Sequence, residues 1–526
     1  MQPPPKPPRT SRSAAFVAAG ILLSRIAGFA RVRFFSHYFG LQSDAADAFN
    51  AAFRIPNFLQ NLFGEGALSA SFIPVYSALI ARGERREADR VAGAVATLLW
   101  LIVAVIVLVG VVATPVLISL ITNFSGAKRE LTIQIVRILF PGAGLLVLSA
   151  WCLGVLNSHY KFLLSYTAPV LWNAAMIVTL LLYGGSDLPR LAIILAWGSV
   201  LGSALQLAVQ VPTVFAVAPH LRVTLDIASE HVRTVVKNFL PALFSRGVVQ
   251  LSAYIDTFIA SFPQLGTGAV TGLTNAQLLY TLPVSLFGMS VSAAELPQMS
   301  GALGSSSEGA EIVRRRLDAG LRQIAFFVLP SAIAFLTLGD VIAAGLFQTG
   351  NFTRADSLYV WGILAGSSLG LLAATLGRLY SSTYYALRDT RTPLRYALLR
   401  VAISTVLGYV FAMHVPGWLN LDPMWGTAGL TLSSGFAGWV ELALLRKKLN
   451  AQIGRTGLPV SFALKLTSFA LASAAAGWLV KVALPESHPL LLALAVLAPY
   501  GLVYFGLAAA FRIPEMSRVT SRLKRR

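Results

Sequence analysis

Long apolar runs, separated by short polar stretches, recur along the chain from residue 13 to residue 511. Each run is long enough to cross a bilayer as a helix. None shows the alternation of apolar and polar positions that marks a transmembrane strand. The pattern therefore predicts an all-α polytopic membrane protein with fourteen transmembrane helices. We place these helices near residues 13–37, 47–80, 92–122, 131–157, 163–184, 190–217, 232–262, 270–300, 312–347, 356–386, 393–414, 424–446, 459–483 and 488–511.

Charge supports this assignment and gives an orientation. Only 12% of the 526 residues are charged, compared with about 25% in soluble domains. The net charge of +20 comes mostly from cations in every second short loop, which is the pattern of cytoplasmic loops in an inner membrane protein. We therefore expect both termini in the cytoplasm of a bacterium. Because no basic segment is interleaved with aromatic residues, we expect no nucleic-acid partner.

The sequence repeats itself at a near-constant offset. The residues that recur 223 positions later are Ser69, Ala70, Pro74, Ser77, Leu153, Gly154 and Ser158, matching Ser292, Ala293, Pro297, Ser300, Leu376, Gly377 and Ser381. Six helices separate the copies, so the two copies are parallel repeats. Two such lobes around a central cavity are a transporter architecture.

The repeat sets the expected domains. The first twelve residues are polar and proline-rich, and the last two helices have no counterpart in the repeat. The predicted parts are a cytoplasmic N-terminus at 1–12, an N-lobe at 13–217, a C-lobe at 218–447, two additional helices at 448–511 and a basic tail at 512–526.

Four arginines interrupt the apolar runs near the start of the chain: Arg25, Arg31, Arg33 and Arg54. A charged side chain at mid-bilayer costs about 3 kcal/mol, so it usually faces a partner or a watered cavity. Arginine also binds phosphate and carboxylate oxygens through a planar fork. The pattern predicts a protein built around an anion.

Arg25 in LLSR and Arg246 in LFSR occupy equivalent places in the two repeats. Facing each other across a cavity, they could hold a diphosphate through bidentate hydrogen bonds. The alternative is that each arginine pairs with a buried carboxylate or extends to the cytoplasmic surface, since both lie near a helix start.

The second helix carries a polar face. The residues on this face are Asp47, Asn50, Arg54, Asn57 and Asn61, and their spacing places them on one side of a helix. Pro56 is expected to kink the helix, and Gly64, Glu65 and Gly66 are a candidate hinge. The alternative is a hydrogen-bonded face in a static bundle.

Asp256, Asp389 and Thr405 supply oxygen atoms that suit a coupling cation or proton. The simpler alternative is that Asp256 neutralises Arg246 and that Asp389 caps the next helix. The scattered histidines, the single Cys152 and the lack of a phosphate-binding glycine loop or a nucleophile motif argue against an enzyme. We expect a transporter without a cofactor, driven by sodium, protons or the membrane potential.

Three stretches carry a family resemblance: SRIAGFARVRFFSHYFG, DAFNAAFRIPNFLQNLFGEGALSASFIPVYS and YYALRDTRTPLRYA. They resemble the signature stretches of the MurJ (MviN) family of bacterial lipid II flippases in the MOP exporter superfamily. The resemblance covers nearly the whole chain. It implies movement of undecaprenyl-diphosphate-linked disaccharide-pentapeptide to the periplasmic leaflet by alternating access, with the lipid tail in a groove beside the last two helices.

The resemblance also implies roles for particular residues. It places the family's cavity residues at Arg25, Arg31, Asp47 and Arg54, and its hinge carboxylate at Glu65. It places a sodium site at Asp256, Asp389, the Val401 carbonyl and Thr405.

This chain departs from the family at two places. Gln60 replaces a basic residue that is common in the family, and Ala276-Gln277-Leu278 replaces alanine-aspartate-arginine. We expect Arg246 to take over from the missing arginine.

Three other functions remain open. The first is another exporter of the same superfamily, for drugs or polysaccharide-repeat lipids, which substrate competition would reveal. The others are a membrane glycosyltransferase, which needs an essential carboxylate and a polymer product, and a scaffold of wall synthesis, which would tolerate loss of the arginines. For the flippase we expect a monomer whose partners are lipid II and proteins of cell-wall synthesis.

Overall fold

The computed structural model describes residues 10–302, 309–484 and 488–516, and within these ranges the regular structure is helical, without β-strands. The helices are α1 (Thr10–Phe39), α2 (Asp44–Phe63), α3 (Glu65–Ala81), α4 (Arg85–Ile121), α5 (Gly126–Ser158), α6 (Phe162–Tyr183), α7 (Leu188–Val217), α8 (Glu230–Ala260), α9 (Ala269–Pro283), α10 (Ser290–Ala302), α11 (Gly309–Phe347), α12 (Arg354–Ala386), α13 (Arg391–Met413), α14 (Val415–Trp418), α15 (Gly426–Ile453), α16 (Val460–Ala483) and α17 (Pro489–Ala510).

The predicted apolar runs correspond to helices of the structure. The protein is an all-α polytopic membrane protein, and eleven helices within the described ranges are long and apolar enough to cross a membrane. Helices α1, α2 and α8 are not among these eleven. They carry arginines 25, 31, 33, 54 and 246. The total of fourteen spans therefore stays a prediction.

The first of two compact units contains α1 to α8. Helix α5 lies at its centre and packs against α2, α4 and α7, while α1 packs against α6. Helix α8 packs against α2, α3 and α4. The unit therefore ends after Ser261, whereas the predicted lobe boundary lies at 217/218. The reason for the difference is the packing of α8, which the position of a repeat in the sequence does not reveal.

A short segment between α11 and α12 also belongs to the first unit. Thr349–Asn351 lies against the end of α1. The amide of Asn351 donates to the His37 carbonyl at 2.9 Å, and its side chain donates to the Tyr38 carbonyl at 2.7 Å. These bonds fasten the segment to the C-terminal turn of α1.

The second unit contains α9 to α17. Helix α12 packs against α11 and α15, and α13 packs against α15. Helices α16 and α17 pack against each other and against α11. Two ion pairs fasten this C-terminal segment to α11: Lys481 Nζ lies 2.7 Å from Asp340 Oδ2, and Arg322 Nε lies 2.8 Å from Glu515 Oε1.

Corresponding helices of the two repeats are interrupted at equivalent positions. Gly64 has an extended backbone and separates α2 from α3. A π-helical segment, Val284–Met289, separates α9 from α10. The residue that lies 223 positions after Gly64 is Phe287, and it falls inside that π-helical segment. The shared interruption supports the repeat that the sequence predicts.

Candidate substrate site

Arg31 lies inside the first unit, where neutral groups surround it. Its Nε donates to Asn173 Oδ1 at 3.0 Å. The guanidinium carbon lies 5.3 Å from the Trp172 ring centroid and 5.5 Å from that of Phe53, and these two rings are stacked. Within the described part of the chain, Arg31 forms no ion pair with a carboxylate. The result is a half-buried cation that is oriented by cation–π contacts and can accept an anionic ligand.

Arg54 joins α2 to α8. Its Nη1 donates to the Ala253 carbonyl at 3.0 Å, and the hydroxyl of Tyr254 donates back to the Arg54 carbonyl at 3.0 Å. The guanidinium also interacts electrostatically with Asp256. This arrangement places Arg54 on the polar face of α2 that the sequence predicts and gives it α8 as its neighbour.

Asp47 lies at the N-terminal end of α2, with 1% of its surface exposed. Its carboxylate is 2.8 Å from Lys128 Nζ. Lys128 also lies 3.1 Å from Asp44 and sits over the Phe124 ring at 4.5 Å. The structure thus holds Asp47 in an ion pair with α5.

The other two candidate arginines are placed differently. Arg25 is exposed on α1, next to exposed Leu22 and Ile26. Among the described residues it forms no hydrogen bond or ion pair, so its guanidinium is accessible to a ligand. Arg246 lies in α8, but its side chain falls outside the described part of the structure, so its predicted role stays a prediction.

The candidate hinge coincides with a break in the helix. Helix α2 is continuous past position 56 and ends at Phe63, and α3 begins at Glu65. A Cβ at Gly64 would lie 2.0 Å from the Gln60 carbonyl oxygen, which is far inside any tolerated contact. Gly64 is therefore required for this break. The side chain of Glu65 lies outside the described part, and Gly66 is the second residue of α3. The gating role of the three residues stays a prediction.

The predicted sodium ligands are not brought together. Asp389 caps α13: it accepts hydrogen bonds from the Thr392 hydroxyl at 2.6 Å and the Thr392 amide at 2.9 Å. These bonds hold the pKa of its carboxyl below the ordinary value. Val401 lies nine residues beyond Thr392, about 13 Å along the helix, and Thr405 lies farther still. Ligands of one ion lie within about 5 Å of one another, so Asp389 does not share an ion with Val401 and Thr405 here.

Asp256 interacts with Arg54 inside the first unit. Among the residues that the structure describes, no group of three or more His, Cys, Asp or Glu side chains could hold a metal. Sodium, protons and the membrane potential stay open as the driving force.

The second unit contains an apolar pocket beside α16. Its volume is about 340 Å³, and α11, α12, α15 and α16 line it. Most of its lining is aliphatic or aromatic, as at Leu376, Trp439 and Leu464, while Arg446, Tyr380 and Thr467 are its polar members. A pocket of this composition suits a hydrocarbon chain.

The sequence does not predict two contacts of this site, that of Asn173 with Arg31 and that of Lys128 with Asp47. Asn173 and Trp172, which position Arg31, are ordinary residues of an apolar run, and Lys128 lies at a helix start among loop cations. A polar residue inside the run at 163–184 was the available signal for Asn173. The pairing of Lys128 with a residue 81 positions away has no local signal.

Comparison with solved structures identifies the fold. The structure titled "Lipid II flippase MurJ, inward closed conformation" superposes with a TM-score of 0.75 and 24% identity, covering 94% of this chain and 98% of that one. An inward-facing multidrug resistance MATE family transporter of the MOP superfamily superposes with a TM-score of 0.66 and 17% identity, covering 84% and 98%. The chain therefore shares the fold of these two structures.

Sequence comparison identifies the family. The family model described as "Lipid II flippase MurJ" matches residues 35–503. The lipid II flippase of Burkholderia cenocepacia is 32% identical over 82% of this chain and 82% of its own. A probable lipid II flippase of Rhizobium meliloti is 29% identical over 97% of this chain and 96% of its own. The chain belongs to the lipid II flippase MurJ family, whose members are transporters and not enzymes.

Proposed function

We propose that this protein moves lipid II from the cytoplasmic to the periplasmic leaflet of the bacterial inner membrane, and that Arg25, Arg31 and Arg54 bind its diphosphate. The observation that carries the cationic site is Arg31, which has an oriented guanidinium and only neutral partners among the described residues. Such a group gains from a phosphate oxygen, because hydrogen bonds between charged groups are about twice as strong as neutral ones. Membership of the family supports lipid II as the substrate.

The same proposal gives a role to the apolar pocket beside α16 and to the break at Gly64. The polyprenyl tail stays in lipid or in the apolar pocket beside α16, while the headgroup crosses through the protein. The Gly64 break allows α2 and α3 to change their relative direction as access alternates between the two faces. No covalent step is needed. Binding alone cannot give direction, so an ion gradient or the membrane potential drives the cycle. One charge crossing 100 mV supplies about 2.3 kcal/mol.

We also propose that both termini are cytoplasmic and that the protein acts as a monomer alongside cell-wall synthesis proteins. The distribution of cations among the loops supports this orientation. The fold likeness to MATE transporters is not an argument for drug export, because at 17% identity it concerns only the fold.

Complementation tests the function and the site together. The protein is expressed in a bacterium depleted of its own lipid II flippase, as wild type and with Arg31→Ala, Arg54→Ala or Arg25→Ala. Arg190→Ala is the control, because Arg190 is an exposed arginine at the start of α7. We expect the wild type and the control to restore growth. The three site variants should fail, since loss of a charge-assisted bond costs about 1.5–3 kcal/mol, which weakens substrate binding roughly tenfold to a hundredfold.

The outcomes separate the two parts of the proposal. Rescue by well-expressed site variants would retain the flippase function and eliminate the arginine site. Failure of a correctly inserted wild type would refute lipid II as the substrate and favour another exporter of the superfamily.

A further inference from the structure

Four polar side chains from four helices of the second unit meet in what we call the Arg378 cluster: Tyr280 of α9, Arg378 of α12, Arg400 of α13 and Glu441 of α15. Arg400 Nε lies 3.1 Å from Glu441 Oε2. Arg378 interacts electrostatically with the other three members. The cluster is therefore one electrostatic unit and not a set of isolated charges.

The charged members of the cluster lie deep within their helices. Arg378 is eight residues from the end of α12, which is about 12 Å along the axis. Arg400 is nine residues from the start of α13, about 13 Å by the same rise. An arginine side chain is too short to cover such a distance, so neither guanidinium extends past the end of its helix into bulk water. Charges at this depth usually serve a ligand or an ion path.

The charged members of the cluster are partly accessible. Arg378 has more than a third of its surface accessible, although its electrostatic partners lie on α9, α13 and α15. The side chains of Arg400 and Glu441 are 31% and 16% exposed. The guanidinium of Arg378 is therefore accessible to a ligand while it interacts with groups on three neighbouring helices.

The charges of the cluster do not balance. Two guanidiniums face one carboxylate, and that carboxylate is in contact with Arg400. Within the described ranges, Arg378 forms no hydrogen bond and no ion pair within 4 Å. The two cations repel each other, and a second anion bound beside them would relieve this repulsion. The neutral hydroxyl of Tyr280 adds a hydrogen-bond donor for the same anion.

We propose that the Arg378 cluster is a second oxyanion-binding subsite, which takes a carboxylate or phosphate group of the transported headgroup. Glu441 is its resident counter-ion, and the incoming oxyanion takes its place at Arg400. The inference rests on the proposed function, because the headgroup of lipid II carries both a diphosphate and the carboxylates of its peptide. It adds a site in the second unit to the arginines of the first.

Binding measurements on the purified full-length protein in nanodiscs test the subsite. Lipid II and undecaprenyl diphosphate are titrated against the wild type, Arg378→Gln and Glu441→Gln. Arg395→Gln is the matched control, since Arg395 is an exposed arginine on α13 outside the cluster. We expect Arg378→Gln to weaken lipid II binding about tenfold or more and the control to bind like the wild type.

The direction in which Glu441→Gln changes lipid II affinity decides between the two roles of Glu441. If Glu441 competes with the ligand for Arg400, its neutralisation should tighten lipid II binding. If the pair is only structural, its loss should weaken binding or leave it unchanged. Weaker or unchanged binding by Glu441→Gln, or wild-type binding by a folded Arg378→Gln, would overturn the subsite. We expect Arg378→Gln to weaken lipid II binding and Glu441→Gln to tighten it. Because poor folding can only weaken binding, it cannot produce both results.

The two lipids identify which oxyanion binds. Loss of affinity by Arg378→Gln for lipid II alone assigns the cluster to the peptide carboxylates. Loss for both lipids assigns it to the diphosphate, and either result supports the subsite. If the wild type binds neither lipid, the proposed function fails and this inference fails with it. If the wild type binds lipid II and Arg378→Gln binds it equally well, only the subsite fails.

Discussion

The buried carboxylate of Asp47 forms an ion pair with Lys128. The carboxylate is almost fully buried and lies 2.8 Å from Lys128, whose own side chain is 15% exposed. Removing one partner of a buried ion pair leaves an uncompensated charge, which costs about 3–5 kcal/mol. We therefore expect Lys128→Met to lower the free energy of unfolding by roughly that amount, measured by thermal and denaturant unfolding in detergent.

Asp44 offers a control on the same lysine. It lies 3.1 Å from Lys128, but its side chain is 64% exposed. Surface pairs contribute about 0–1 kcal/mol, so Asp44→Asn should change stability little. If Lys128→Met proved as mild as Asp44→Asn, the Asp47 pair would be unimportant for stability.

At the residue level, the sequence reveals charged positions but not their partners. An arginine inside an apolar run is visible in the sequence, and so the sequence predicts Arg31 and Arg54 as site residues. Their actual neighbours, Asn173 and Ala253, lie 142 and 199 positions away in the sequence. Tertiary packing decides such pairings, and no local periodicity encodes them. The sequence does not single out Arg378 for the same reason, since its interactions depend on three other helices.

At the level of helices, the sequence was more informative. The run predicted at 393–414 corresponds to α13, Arg391–Met413, and the run at 163–184 to α6, Phe162–Tyr183. Membrane helices are predictable because the apolar length required by the bilayer is a local property. The π-helical segment after α9 was not predicted, because it changes only the hydrogen-bond register and not the hydropathy.

The break at Gly64 gives a prediction at this scale. In Gly64→Ala the Cβ would meet the Gln60 carbonyl oxygen at 2.0 Å, so the chain must shift at the junction of α2 and α3. Overpacking of this kind costs about 1–3 kcal/mol. We expect a lower unfolding temperature and slower lipid II transport in proteoliposomes.

Gly28→Ala is the matched control. It lies within α1, and a Cβ there meets no atom within 4 Å. Alanine stabilises a helix interior by about 0.5–1 kcal/mol relative to glycine, so this variant should be neutral or slightly more stable. Full transport by Gly64→Ala would show that the break is not needed for the cycle.

At the scale of the whole molecule, the positive charge lies mainly in alternate loops. The loop before α4 and its first turns contain Arg82, Arg85, Arg86 and Arg90, whereas the loop between α6 and α7 contains no cation before Arg190. Cations next to transmembrane segments stay on the cytoplasmic side. One orientation therefore satisfies the proposed lipid movement, with the cationic site first accessible from the cytoplasm, where the substrate begins.

The single native cysteine makes this orientation easy to test. Cys152 is buried, with 1% of its surface exposed, so an introduced cysteine is the main target of a maleimide. Gly185→Cys lies between α6 and α7, where a Cβ meets no atom within 4 Å, and Arg86→Cys lies on the exposed first turn of α4. A membrane-impermeant maleimide should label Gly185→Cys in intact spheroplasts and Arg86→Cys only after permeabilisation. The wild type should stay unlabelled in both conditions. The reverse pattern would invert the topology and place the cations on the periplasmic side, which the proposed direction of transport does not allow.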